Sequence, residues 1–118
     1  MTDQTEVAEK IGDAWGEYRE GRLDAAMDAF ETILRQYPDN IDAMYGLGLA
    51  QRTAGRIDDA VNSFEQALQH INRATVALDA AREPEQLEAA IKTPEDDRFH
   101  MLNRMVKQRL AEMQVVKN

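Results

Sequence analysis

The sequence predicts an all-α fold of antiparallel helix-turn-helix repeats, with a long helix in the second repeat and a capping helix at the C-terminus. Three observations lead to this prediction. The chain matches itself at an offset of 34 residues, its apolar residues recur at spacings of three and four, and glycines and prolines separate the apolar stripes. Because a period of about 20–50 residues is typical of stacked repeats, the 118 residues are expected to form a single domain.

The internal match is densest around the turn between the two helices of each repeat. Seven of the fourteen positions from 21 to 34 are identical to their partners in positions 55 to 68. The shared residues suit two packed helices: glycines for the chain reversal, small alanines where helices touch, and phenylalanines between neighbouring pairs. They include Gly21 and Gly55, Ala26 and Ala60, and Phe30 and Phe64. Pro38 then ends the first unit, because proline cannot continue a helix.

This pattern resembles the tetratricopeptide repeat family, in which each unit is a pair of antiparallel helices stacked into an α-α superhelix. The resemblance places repeat 1 at residues 7–40 and repeat 2 at residues 41–74. Repeat 1 departs from the family pattern at Ala14 and Ile33, where a smaller residue is usual. The positions that match the family's structural pattern are Gly21, Ala26, Phe30 and Pro38 in repeat 1, and Gly48, Gly55, Ala60, Phe64 and Ala67 in repeat 2.

The second helix of repeat 2 is predicted to run beyond the usual length of the unit. Asn72 stands where a closing proline is usual, and the apolar stripe that begins at Ala60 continues at spacings of three and four to Ala81. We predict one helix from about Asp58 to Arg82, since the residue before Pro84 disfavours helix. A degenerate third repeat near residue 75 is disfavoured, because Ala89 would stand at the turn glycine.

Residues 83–118 are predicted to form capping helices, because the last pair of a short array needs a cover for its apolar face. A short helix is expected over 85–91, and Thr93-Pro94-Glu95-Asp96 is typical of a helix start. The final helix should reach about Gln114, with Met101 as a further core residue. Alternatively, its apolar stripe pairs with a second copy of the chain in a homodimer. The stripe consists of Phe99, Leu102, Met105, Val106, Leu110 and Met113.

Charge is unevenly distributed along the chain. The net charge is −8, but residues 98–118 carry five basic residues and one acidic residue. This balance disfavours nucleic acid as a partner, and it makes the last helix either a complement to the acidic body or a separate docking surface. The absence of cysteine excludes disulfides, and no apolar run is long enough to span a membrane. With a polar N-terminus as well, the protein is expected in the cytoplasm without membrane association.

No residue pattern indicates catalysis. His70 and His100 have no ligand spacing around them, and the acids at 95–97 suit a helix start. The glycines at 46 and 48 follow no strand, so they do not form a phosphate-binding loop. We therefore expect a protein that is not an enzyme and that needs no metal or cofactor.

The resemblance implies a binding surface on the inner face of the first helix of each repeat. An independent helical spacing of three and four places four of these residues in repeat 1 on one face. We expect the glycines at 12 and 46 to leave room for a partner. The alternative is that Trp15 and Tyr18 are half-buried under the capping helix or the N-terminus. The predicted groove residues are Ile11, Trp15, Tyr18, Arg19, Tyr45, Leu49 and Arg52, with Asp42 and Thr53 beside them.

The predicted function is that of an adaptor or scaffold that binds a peptide or helix of another protein. One subtype of the family grips acidic chaperone C-termini with lysine and asparagine. Ile11, Trp15 and Gly46 stand at the corresponding positions, so we expect no such clamp and a partner held by apolar and aromatic contacts. The alternative is a structural module that self-associates through its C-terminal helix or its repeat faces.

Overall fold

The computed structural model describes residues 3–80 and 94–117, and these two segments are entirely built on helices joined by short turns. This architecture confirms the prediction of an all-α helical repeat. In chain order the helices are α1 (Asp3–Arg19), α2 (Leu23–Gln36), α3 (Ile41–Thr53), α4 (Ile57–Ala80) and α5 (Pro94–Lys117).

Both repeats reverse direction through the same turn. Gly21 and Gly55 adopt φ values of +80° and +84°, a left-handed conformation that residues with a side chain rarely adopt. The amide of Gly21 donates to the carbonyl of Tyr18 at 3.0 Å, and the amide of Gly55 donates to the carbonyl of Arg52 at the same distance. The glycines that the repeat pattern assigned to the turns therefore end α1 and α3 in the same way.

Two phenylalanine rings lie on glycines, one between the two repeats and one within repeat 2. Phe30 of α2 is fully buried, and its ring occupies the space that a side chain at Gly46 of the next repeat would need. Phe64 of α4 lies in the same manner on Gly48 of its own repeat. The expectation that Gly46 leaves room for a partner is therefore wrong, because the room is taken by a core residue.

Helix α4 passes Asn72 without a break and is described to Ala80, eight residues beyond the point where a closing proline was missing. The prediction of an extended helix is confirmed over this length. Its predicted end at residue 82 and the predicted short helix at 85–91 lie outside the described residues. Helix α5 begins at Pro94, as predicted, and continues to Lys117, three residues further than expected.

The apolar stripe of α5 packs on α4 of the same chain. Leu102, Val106 and Met113 are buried in one core cluster with residues of α3 and α4, so α5 acts as the cap that the exposed end of the second repeat requires. The stripe that could have paired with a second copy is thus already covered. Met101 was expected in this core, but it is 51% exposed, because it lies on a different side of the helix.

Two ion pairs fix the direction of α5 relative to α3. Arg98, near the start of α5, lies 2.6 Å from Asp42 near the start of α3. Glu112, late in α5, lies 2.9 Å from Arg52 in the last turn of α3. The two helices therefore run in the same direction, and α1, α3 and α5 form an inner layer while α2 and α4 form an outer one. The smallest dimension of the molecule, 20 Å, is about two helix diameters.

Candidate partner-binding groove

The inner layer presents a surface, here called the inner groove, that is lined by the exposed sides of α1, α3 and α5. On α1 this side carries Ile11, Trp15 and Tyr18, which are half-buried, and Arg19, which is exposed. Their spacings of four, three and one keep them within one side of the helix. The acidic residues of α1 lie roughly 120–240° around the helix from Trp15, so none of them faces the groove.

Trp15 serves the core and the groove at the same time. Its ring makes edge-to-face contacts with Tyr18 at a centroid distance of 5.6 Å and with Phe30 at 5.3 Å. Such contacts add to the stability that burial of the rings supplies. Both rings are half-buried, and they pack against a core cluster formed by α1, α2 and α3. Burial under the capping helix or the N-terminus, the cause that the alternative named, stays a prediction. The remaining exposed part of both rings borders the inner groove.

Helix α3 contributes less to the groove than the sequence predicted. Tyr45 is only 8% exposed, and its ring packs at 5.6 Å from the ring of Phe64. It belongs to the core beneath the groove, which corrects its assignment as an accessible contact. Leu49 and Arg52 remain partly exposed, as predicted. Thr53 joins α3 to α1, because its hydroxyl lies 3.1 Å from the hydroxyl of Tyr18.

Helix α5 supplies a third side of the groove that the sequence reasoning missed. Arg98 and Glu112 both reach α3, so the side of α5 that carries them faces the inner layer. Met101 and Met105 fall on that side, three and seven residues after Arg98. The same spacing was readable in the sequence, but the direction in which α5 packs was not, and so Met101 was assigned to the core. Met105 was expected in the core and does pack against it, with part of its side chain exposed.

One end of the groove, here called the arginine end, is formed by Arg19, Arg52 and Arg109, one residue from each inner helix. Arg52 Nη1 and Arg109 Nη1 donate to the same oxygen of Glu112, at 2.9 Å and 2.8 Å. The Nε of Arg109 is buried and has no acceptor within the described part of the chain. Arg19 has no ion-pair partner among the described residues. Charge-assisted bonds of this kind are the ones that hold a carboxylate most firmly.

The opposite end of the groove contains an apolar cavity of about 450 Å³. It lies between the first half of α1, the loop that leads into α3, and the start of α5. Arg98 and Asp42 form an ion pair at its edge. A volume of this size accommodates one or two large side chains of a partner. The cavity is lined by Val7, Ala8, Ile11, Tyr37, Asn40, Asp42 and Arg98.

The two histidines lie outside this groove. His70 is half-buried on α4, with its Nδ1 3.4 Å from a carboxylate oxygen of Asp39, and His100 is exposed on α5. Among the side chains that the structure describes, no three of the histidine, cysteine, aspartate or glutamate type converge as metal ligands. None of the described helices is long and apolar enough to cross a membrane.

Comparison with known proteins gives one family. The family model described as tetratricopeptide repeat matches residues 13–97, from the middle of α1 to the first turn of α5, which is more than half of the chain. No curated protein sequence matches the chain significantly.

Proposed function

The chain belongs to the tetratricopeptide repeat family, and we propose that it is a non-catalytic adaptor or scaffold module that binds a peptide or helix of a partner protein in the inner groove. Members of this family generally mediate protein–protein interactions. The fold by itself does not identify a partner, so the proposal depends on the properties of the groove.

The observation that carries the proposal is the contrast between the two sides of α1. The side that faces the groove holds Ile11, Trp15 and Tyr18, all partly exposed, whereas the opposite side is acidic. Apolar and aromatic residues that stay exposed on a rigid concave surface are typical of interaction sites. Leu49 on α3 and the apolar cavity extend this surface along the groove.

The groove is held in shape before any partner arrives. The hydroxyl contact between Tyr18 and Thr53 links α1 to α3, and the ion pair between Arg52 and Glu112 links α3 to α5. A partner therefore loses its own conformational freedom on binding but imposes little reordering on the groove. We expect a dissociation constant in the micromolar range, equivalent to about 8 kcal/mol of binding free energy.

The experiment is a selection of binding peptides from a displayed random library on the full chain, followed by affinity measurements with variants. Ile11→Asp places a charge at the apolar cavity and should weaken the selected peptides at least about tenfold, or about 1.4 kcal/mol. Val76→Asp is the matched control, because Val76 is an apolar residue on the outer helix α4 and is 67% exposed. Circular dichroism must show that both variants keep their helix content.

The proposal is wrong if the selected peptides bind Ile11→Asp and Val76→Asp equally well, or if no peptide is enriched. The self-association alternative is tested in the same samples by sedimentation over a range of protein concentrations. Self-association through the C-terminal helix or the repeat faces would give a mass that rises with concentration, and a strict monomer at every concentration excludes it.

A further inference from the structure

We propose that the segment bound in the inner groove is acidic at one end and apolar at the other, with a carboxylate held at the arginine end and an apolar side chain in the cavity. This inference rests on the proposed function and specifies the chemistry of its ligand. The positions involved differ from residues 11, 15 and 46, where a clamp of the family's chaperone-binding subtype would lie.

The groove differs in charge from the rest of the molecule. The whole chain carries a net charge of −8. Among the side chains that the structure describes, those that line the groove include four arginines, at positions 19, 52, 98 and 109, against two carboxylates, Asp42 and Glu112. The groove is therefore cationic on an anionic protein, which favours an anionic segment there and disfavours a basic one.

The helix dipole does not account for this arrangement. Arg19 and Arg52 do lie in the last turns of their helices, where the dipole favours a cation. The dipole acts along the helix axis, however, and does not select the side that faces the groove. Arg109 lies eight residues before the end of α5, about two turns away and beyond the reach of the effect.

Glu112 shows how the arginine end holds a carboxylate. One of its oxygens accepts from both Arg52 and Arg109, so two positive charges share one negative charge. Arg52 and Arg109 together carry one positive charge more than Glu112 neutralises. A second carboxylate from a partner would balance the excess charge, with the exposed Arg19 as a further donor.

The separation of the two ends sets the spacing in the partner. Asp42 at the cavity and Arg52 at the arginine end are ten residues apart on α3, or about 15 Å along the helix axis. An extended peptide covers this distance with about four or five residues. The bound segment should therefore carry its acidic residue about five positions from its apolar anchor, if it binds in extended form.

The test uses a displayed library of random peptides and three proteins: the natural chain, Arg19→Glu and Arg35→Glu. Arg19 is exposed and has no ion-pair partner among the described residues, so its replacement leaves the packing intact. Arg35 is exposed in the last turn of the outer helix α2, as Arg19 is in the last turn of α1, and its replacement gives the same change of charge outside the groove. Selected peptides are also remade with each acidic residue replaced by its amide.

The natural chain and Arg35→Glu should both enrich peptides with aspartate or glutamate about five positions from an apolar residue, and the amide versions should bind about tenfold more weakly. Arg19→Glu should lose this enrichment. If peptides that depend on Ile11 are selected without any excess of acidic residues, the inference is overturned while the groove remains the binding site. If Arg35→Glu loses the enrichment as fully as Arg19→Glu, overall charge is responsible and the inference is again overturned. The absence of any peptide that depends on Ile11 overturns both proposals.

Discussion

Replacing Gly46 by alanine would place a methyl group where the ring of Phe30 now lies. The new Cβ would approach Phe30 Cε2 to 2.9 Å, and two further ring atoms would be closer still. Phe30 is fully buried between the repeats, so its ring has no free space into which it could move. Gly12 is the equivalent residue one repeat earlier, and a methyl group there would meet no atom within 4 Å.

The pair of variants separates packing strain from helix preference. Alanine is more favourable than glycine inside a helix by about 1 kcal/mol, and this gain applies to both positions. Forcing a methyl group into a filled core costs about 1–3 kcal/mol, and the short approach to Phe30 puts Gly46→Ala at the upper end. We therefore expect Gly12→Ala to raise the free energy of unfolding by about 1 kcal/mol and Gly46→Ala to lower it by about 2 kcal/mol.

Urea unfolding is the suitable assay, because Trp15 is the single tryptophan of the chain and its ring touches that of Phe30. Its fluorescence follows the packing at this site while circular dichroism follows the helices. For a chain of this length, a loss of 2 kcal/mol corresponds to a melting temperature lower by about 8 °C. The double variant of Gly46→Ala and Phe30→Leu should lower the free energy of unfolding by less than the sum of the two single variants, because the two positions are in contact. Equal stabilisation by Gly12→Ala and Gly46→Ala would refute the reasoning, since it would mean that no ring occupies the space.

Three further predictions concern the turns, the surface charges and the cap. Gly55→Ala should lower the free energy of unfolding by about 1 kcal/mol in urea titrations, because φ is +84° there and no neighbouring atom restricts the methyl group; unchanged stability would contradict the strain argument. Hydrogen bonds from Arg22 lower the pKa of Glu17, so this carboxylate stabilises the fold above the ordinary value of 4.5 and the contribution is lost as the pH falls below it. The melting temperature of Arg22→Gln should therefore decrease less between about pH 6 and about pH 3 than that of the natural chain. An identical decrease would show that the Arg22–Glu17 pair does not contribute to it. Met113→Ala should destabilise α5 by about 2 kcal/mol. This is the low end for a buried methionine, because α5 packs on one side only. The expected readout is faster amide exchange confined to α5.

The turns and helices could be predicted from the sequence because the features that produce them are local. Gly21 and Gly55 are recognisable from their neighbours, since a chain reversal needs a residue that tolerates positive φ whatever it packs against. The uninterrupted passage of α4 through Asn72 likewise follows from a missing proline and a continuous apolar stripe. Pro94 marks the start of α5 because proline is favoured at the first position of a helix, whatever the helix packs against.

The groove was predicted less well because it depends on which helix lies opposite each residue. A glycine on an inner helix admits either a partner or a core side chain, and at Gly46 the neighbour is Phe30 from the preceding repeat. Tyr45 was assigned to the surface for the same reason, although the core takes it up. The apolar character of Met101 gave no indication of its side of α5, which became clear only from the ion pairs with α3.

Comparison of equivalent positions in the two repeats separates the residues that pack from those that border the groove. Phe30 and Phe64 are identical and fully buried, because both fill the same kind of space on a glycine. Tyr18 and Arg52 occupy equivalent positions 34 residues apart, yet they differ completely in chemistry and both remain partly exposed. A shared packing environment restricts the first pair, whereas nothing within the fold requires the second pair to be alike. The positions that do not repeat are therefore free to meet the demands of a partner, and substitutions such as Arg19→Glu should change binding far more than stability.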